Sequence, residues 1–167
     1  MTFGERLSGA LRLDVATFEE IEANHAVTRQ AVAVVVAASV AAGIGFGGFD
    51  DAFAMIDAMI RALLLWVIWS GVTYLVGTRL LPEPQTSSDI GEMLRVFGFA
   101  SAPSLFSVLG IIPFLGWLLK AAVAVWVFVA TVIAVRQALD YTSTGRALGV
   151  VIVSWLLVLL VQVVLFR

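Results

Sequence analysis

Gln30 to Phe49 runs for twenty residues without a charge. A surface helix of a soluble protein needs a polar face, and this stretch offers none. About twenty apolar residues are what an α-helix needs to cross a hydrocarbon core of roughly 30 Å. Four more such segments follow. Ala62–Thr78 lies between Arg61 and Arg79, whose stems can reach out of the membrane at both ends. Val96–Val135 carries only Lys120, is too long for one span and suits two, with a hairpin at "IIPFLGW". Pro113 and Gly116 are its turn signals. Ala147–Phe166 holds fifteen Val, Leu, Ile or Phe residues, each favouring insertion by roughly 0.3–0.6 kcal/mol. With 61% hydrophobic residues, 13% charged and a mean hydropathy of +1.04, a soluble fold of this length could not bury its apolar surface. The expected fold is all-α: a single-domain, polytopic membrane helix bundle over 1–167 with five transmembrane helices. The spans fall at about 27–48, 58–80, 89–112, 115–138 and 147–166.

The residues ahead of the first span read differently. "MTFGERLSGALRLD" has neither the continuous apolar core nor the small-residue cleavage pattern of a signal peptide. Phe3, Leu7, Ala10 and Leu11 form a helical stripe instead. Asp14 is a candidate N-cap for a second helix, with Val15, Phe18 and Ile21 on one face and Glu19, Glu20 and Glu22 on the other. The expectation is an amphipathic segment over about 1–25 lying at the membrane interface, with Phe3, Leu7, Phe18 and Ile21 at headgroup level; the alternative is a cytosolic helix packed on loops.

Charge sets the orientation. If the N-terminus is cytoplasmic, the inner segments hold Arg6, Arg12, Arg29, Arg79, Arg95, Arg136 and Arg146, against Arg61, Lys120 and Arg167 outside. That asymmetry favours N-in and C-out in the cell membrane, with the acidic Asp50 and Asp51 in the first outer loop.

Several constellations bear on function. "GFASAPSLF", Gly98–Phe106, interrupts a span with proline. Pro103 biases Ala102 away from helix and frees a carbonyl one turn earlier, which Ser101, Ser104 or Ser107 can satisfy. Two half-helices are expected, about Ser88–Ser101 and Ser104–Ile112, either as a kink or as a ligand-facing break. Arg95, two turns into that span, reads as a boundary anchor with Glu92 as local partner, or as a contact for an anion or lipid headgroup. Asp57 and Arg61 form an i, i+4 pair, with a proton or ion site as the alternative. Lys120 reads as reaching into the aromatic belt beside Trp117. "GIGFGG", Gly43–Gly48, follows no strand and resembles a nucleotide loop only superficially; Gly43 and Gly47 suit close helix packing. Tyr74 is a candidate cavity-lining residue.

The exclusions are broad. Cysteine is absent, which removes disulfides, thiolate chemistry and cysteine metal sites. His25 is the only histidine and lacks companions at metal-ligand spacing, so it reads as an interfacial polar residue. A net charge of −2 with no basic tract argues against nucleic acid. No side-chain set suggests catalysis, so no cofactor, no metal and no enzyme activity are expected.

The pattern resembles the Yip family of Ypt/Rab-interacting membrane proteins, in its prokaryotic form. The resemblance covers nearly the whole chain and rests on "LRLDVATFEEIEAN", "TRQA", "LVGTRLL", "GEMLRVFGFASAP" and "STGRA". It implies five membrane helices and a cytosolic N-terminus. Eukaryotic members carry a long N-terminal region and an Asp-Leu-Tyr-Gly-Pro motif that this sequence does not show, so their link to small GTPases is not carried over. The expected role is an integral membrane interaction or membrane-organising protein. Its partners are the lipid membrane and either a second copy or another membrane protein. The alternative is a small transporter or lipid-handling protein that uses the broken third span as its site. A polar cavity reaching mid-membrane, lined by Arg95, Tyr74 or Ser101, would favour that alternative, and a solid, tightly packed bundle would favour the first.

Overall fold

The computed structural model describes residues 1–47, 52–112, 114 and 116–165. The expected turn at Pro113, the Asp50–Asp51 loop, Gly48 and the ends at Phe49, Phe166 and Arg167 lie outside the described residues. Among the described residues every element is helical: α1 (Phe3–Leu11), α2 (Val15–Ala23), α3 (Thr28–Ala42), α4 (Ala52–Leu75), α5 (Ile90–Ala100), α6 (Gly116–Ala138) and α7 (Thr144–Leu165). A 3₁₀ turn, His25–Val27, leads into α3, and π-helical turns extend α3 over Gly43–Gly47 and α4 over Val76–Leu80. Five helical stretches are long and apolar enough to cross a membrane: His25–Phe46, Ala52–Leu80, Ile90–Ile111, Gly116–Ala138 and Thr144–Val163. The second begins at Ala52 rather than near 58, because Asp57 and Arg61 pair along the helix and let it continue past them.

α1 and α2 form an antiparallel hairpin. Thr2 and Glu5 make a capping box at the start of α1. Its end is a Schellman turn: the Leu13 N–H donates to Ala10 O at 3.1 Å, the Asp14 N–H to Gly9 O at 3.0 Å, and Leu13 has φ 60°. Asp14 caps α2 as its position suggests, accepting the Thr17 N–H at 3.1 Å. The helices touch at Gly9, where a Cβ would lie 2.1 Å from Thr17 Oγ1. Arg6 grips both carboxylate oxygens of Glu20 at 2.7 and 2.6 Å and also donates to Gln30 Oε1 at 3.1 Å. The Arg6 hydrogen bond holds the Glu20 carboxyl down at about 2.

This hairpin corrects the headgroup placement of its apolar face. Phe18 and Ile21 are 0% exposed and share the core with Met93, Phe99, Val135 and Leu139. Phe3 meets Phe99 edge-on at 6.3 Å, and Leu7 packs against the same core. A groove between α5 and α6 takes Phe18 and Ile21, so burial there replaces contact with headgroups for these two, while Phe3 stays 42% exposed and Leu7 partly so. The outer face, with Glu5, Ser8, Arg12, Asp14 and Glu19, stays exposed.

Candidate functional site

α5 starts in a capping box, with Asp89 accepting the Glu92 N–H at 2.9 Å and Glu92 accepting the Asp89 N–H at 2.8 Å. Glu92 is thereby committed to the cap and is not the partner of Arg95. Arg95 is buried, with 2% of its surface exposed, so the boundary-anchor reading is corrected. Its Nε donates to Ile21 O at 3.2 Å and to Glu22 O at 3.0 Å, its Nη2 also to Glu22 O, and its Nη1 lies 3.4 Å from His25 Nδ1. The guanidinium thus satisfies orphan carbonyls at the C-terminus of α2, where the helix dipole is negative. His25, expected to be an interfacial polar residue, belongs to this cluster. Burial pushes the Glu22 carboxyl up to about 7, and the charges of Glu92, Asp140 and Glu19 act the same way against the opposing pull of Arg95. Arg95 is a latch for the N-terminal hairpin.

One turn further on, α5 changes pitch. It ends at Ala100, and a 3₁₀ segment runs over Ala102–Ile111 with Pro103 buried in its first turn. The expected pair of half-helices is present, divided at Ser101, but the second half starts at Ala102 and is 3₁₀ rather than α. Ser101 Oγ donates to Gly98 O at 2.6 Å, and the Ser104 N–H donates to Ser101 O at 2.9 Å. The irregularity faces protein, as the cost of an unpaired carbonyl in hydrocarbon requires. A 3₁₀ run of ten residues is long for that helix type. Tight packing accompanies it: a Cβ on Gly45 would sit 1.7 Å from Ser107 O, and one on Gly98 would sit 2.9 Å from Ala31 Cα. The close approach expected of Gly43 falls on Gly45 instead; Gly43 has only a Met55 side-chain carbon, at 4.0 Å.

Between α3, α4, α6, α7 and the 3₁₀ segment lies a slot. Its larger part, about 520 Å³, is lined by Phe46, Ser104, Ser107, Lys120, Thr131 and Trp155 among others. An adjoining part of about 280 Å³ adds Ser101 and Trp66, and Trp69, Ser104, Val127 and Thr131 border both. The Ser101 and Thr131 hydroxyls bond their own helices, Thr131 Oγ1 to Val127 O at 2.8 Å, so they present little polarity to the space. Trp69 Nε1 is buried with no hydrogen-bond partner. Lys120 stands at one end with its ammonium 5.6 Å from the Phe46 ring centroid. A slot of this size and character accommodates an apolar chain, with a cation at its end for a negative group.

Of the residues singled out in the sequence, Ser101 lines the slot and Pro103 sits beside it. Arg95 and Tyr74 line neither part. Tyr74 packs against the core, and its carbonyl accepts Thr78 Oγ1 at 2.7 Å. Asp57 and Arg61 make the expected pair at 2.7 Å, more than half exposed on α4 and away from the slot.

Sequence reasoning missed a second cluster, which ties two loops together at the hairpin's end of the bundle. Tyr141 Oη donates to Leu81 O at 2.6 Å and lies 2.9 Å from Gly77 O. Glu83 Oε2 accepts the backbone N–H and the hydroxyl of Thr142 at 3.0 and 2.8 Å, and Arg146 Nη1 donates to Pro82 O at 2.9 Å. The Thr142 N–H keeps the Glu83 carboxyl below its ordinary range.

No curated protein and no solved structure matches this chain. A family model does: the Yip1 domain matches residues 10–166, and the helices above carry the motifs "LVGTRLL" and "GEMLRVFGFASAP" that first suggested it. The chain belongs to the Yip1 domain family of membrane proteins.

Proposed function

We propose that this protein is a membrane-embedded lipid-handling protein that holds one acyl chain in the slot beside Pro103, with Lys120 meeting an anionic headgroup. The observation that carries the reading is the cavity of about 520 Å³, apolar along its length and cationic at one end. The role is binding and not catalysis. The arginine asymmetry supports a cytoplasmic N-terminus and a C-terminus outside the cell membrane; reporter fusions at both ends test this, and termini on one side would remove the five-span arrangement.

Native mass spectrometry of protein released from vesicles containing phosphatidylglycerol and phosphatidylcholine tests the binding. Wild-type protein should retain one phosphatidylglycerol. Val127→Trp should empty the slot, and Lys120→Glu should abolish the preference for the anionic lipid. Equal retention by all three would refute the reading.

One observation favours a second reading, a membrane-organising protein that meets a second copy or another membrane protein. None of the most apolar eighteen-residue window of α4 is buried within the chain. Cross-linking along α4 in vesicles distinguishes it.

A further inference from the structure

The α1–α2 hairpin does not lie flat across the end of the bundle. Gln137 Nε2 donates to Glu19 Oε1 at 2.9 Å, and Trp126 Nε1 donates to Leu11 O at 3.1 Å. These anchors are separated by about 16 Å of α6. Trp126 also stacks on Phe106 of the 3₁₀ segment at 5.4 Å, which fixes the tip of the hairpin beside both elements. With the hydrocarbon boundary taken at Gln137, near the end of α6, the tip lies about half of a core of roughly 30 Å further in. Yet Arg12 and Asp14 at the tip are exposed, and a hollow of about 700 Å³ beside them is lined by Glu5, Ser8, Arg12, Asp14 and Thr17. Exposed charges at that depth are not stable against hydrocarbon.

The apolar belt shows the same asymmetry. On α4 the exposed apolar side chains run from Phe53 to Leu80, about 40 Å along the helix. On α6 they run from Trp117 to Val129, about 18 Å. On the 3₁₀ segment they run from Phe106 to Ile112, about 12 Å. Beyond Val129, residues Ala130–Val132, Ala134, Val135 and Ala138 are covered by protein. The belt on α4 is taller than the hydrocarbon core and that on α6 and the 3₁₀ segment much shorter; above the latter the hairpin exposes Phe3 and Val15 among its charges.

We infer that the α1–α2 hairpin is a polar wedge that draws water and phospholipid headgroups down one flank of the bundle, so that the bilayer against α6 and the 3₁₀ segment is locally thinned. A short hydrophobic surface is met by thinning, and the hollow beside Arg12 and Asp14 receives the displaced headgroups. The inference stands whether or not the slot holds a chain.

The chain has no cysteine, so single reporters are unambiguous. Ala16→Cys marks the exposed start of α2 near the tip and leaves both tip charges in place. Val67→Cys marks α4 at matched depth, because Gly77 packs on Leu139 and Val67 lies about 15 Å further along. In vesicles of dioleoyl phosphatidylcholine, with a charged maleimide admitted to both sides, Ala16→Cys should react at least about a hundredfold faster than Val67→Cys. Spin labels at positions 16 and 129 should meanwhile give one short distance, showing the hairpin docked. Protection of Ala16→Cys equal to that of Val67→Cys overturns the inference. So does rapid reaction with a long or broad label distance, because the tip would then be reached by undocking and not by thinning.

Discussion

Replacing Arg95 with methionine keeps the volume of the side chain and removes its donors. Two carbonyls of α2, Ile21 O and Glu22 O, lose their partner. Hydrogen bonds from a charged donor contribute about 1.5–3 kcal/mol each. Against this, Arg95→Met relieves the desolvation of a guanidinium that is 2% exposed. The net loss in hairpin docking should be about 3 kcal/mol, or a rise on the order of a hundredfold in the open population. Hydrogen exchange by mass spectrometry reads this directly: peptides covering Val15–Val27 should exchange faster by that factor. Peptides covering the loop held by Tyr141 and Glu83 should not change, since that cluster shares no partner with Arg95. Arg95→Lys should give an intermediate result, because an ammonium can reach one carbonyl but lacks the fork that reaches two. Unchanged exchange over Val15–Val27 in Arg95→Met would refute the latch. Uniform acceleration across the chain would assign Arg95 to the global fold instead.

The raised Glu22 carboxyl gives a pH dependence with a definite sign. Its folded value of about 7 lies above its ordinary 4.5, so the folded protein holds the proton longer. Stability should therefore be fully present below pH 4.5 and fall as pH rises to about 7, and Glu22→Gln should flatten that slope in thermal melts. Gly45→Ala drives a Cβ to 1.7 Å from Ser107 O and should destabilise by about 2 kcal/mol or more. Gly4→Ala, with nothing within 4 Å, should cost no stability in the same melts. Pro103→Ala should leave the protein folded but let α5 run on past Ser101, and lipid retention in native mass spectrometry should drop. Retention equal to wild type would mean that the break serves packing alone.

The spans were legible because each depends only on its own residues. A run such as Gln30–Phe49 commits to crossing a membrane whatever surrounds it, and the structure agrees to within a few residues except where Asp57 and Arg61 sit inside α4. Asp14 as a cap was legible for the same reason, since its partner Thr17 is three residues away. Arg95 was misread because its local neighbour, Glu92, offered a partner at i−3 while its true partners lie more than seventy residues earlier. The amphipathic stripe of α2 was correctly found, but a stripe records that a face is apolar and not what covers it. Phe18 and Ile21 could meet lipid or protein with the same sequence, and only the groove between α5 and α6 decides. The slot had two legible traces, Ser101 on its wall and Pro103 beside it. The close approaches at Gly45 and Gly98 carry no signal of their own until the opposing backbone is known.

The proline-induced change of pitch connects the two features that the sequence hid. A 3₁₀ helix rises about 2.0 Å per residue against about 1.5 Å for an α-helix. Ten residues over Ala102–Ile111 therefore advance about 20 Å where an α-helix would advance about 15 Å. The slimmer rod leaves space beside it, and that space is the slot between Ser104, Ser107 and α6. The same rod presents only Phe106 to Ile112 outward, the shortest part of the apolar belt. The slot and the hairpin share α6, the slot through Val127 and Thr131 and the hairpin through Trp126 on another face of the helix. Straightening the rod should act on both features together. If Pro103→Ala lowers lipid retention, it should also slow the labelling of Ala16→Cys in the same vesicles. Loss of one effect without the other would separate the slot from the wedge and leave their adjacency without mechanical meaning.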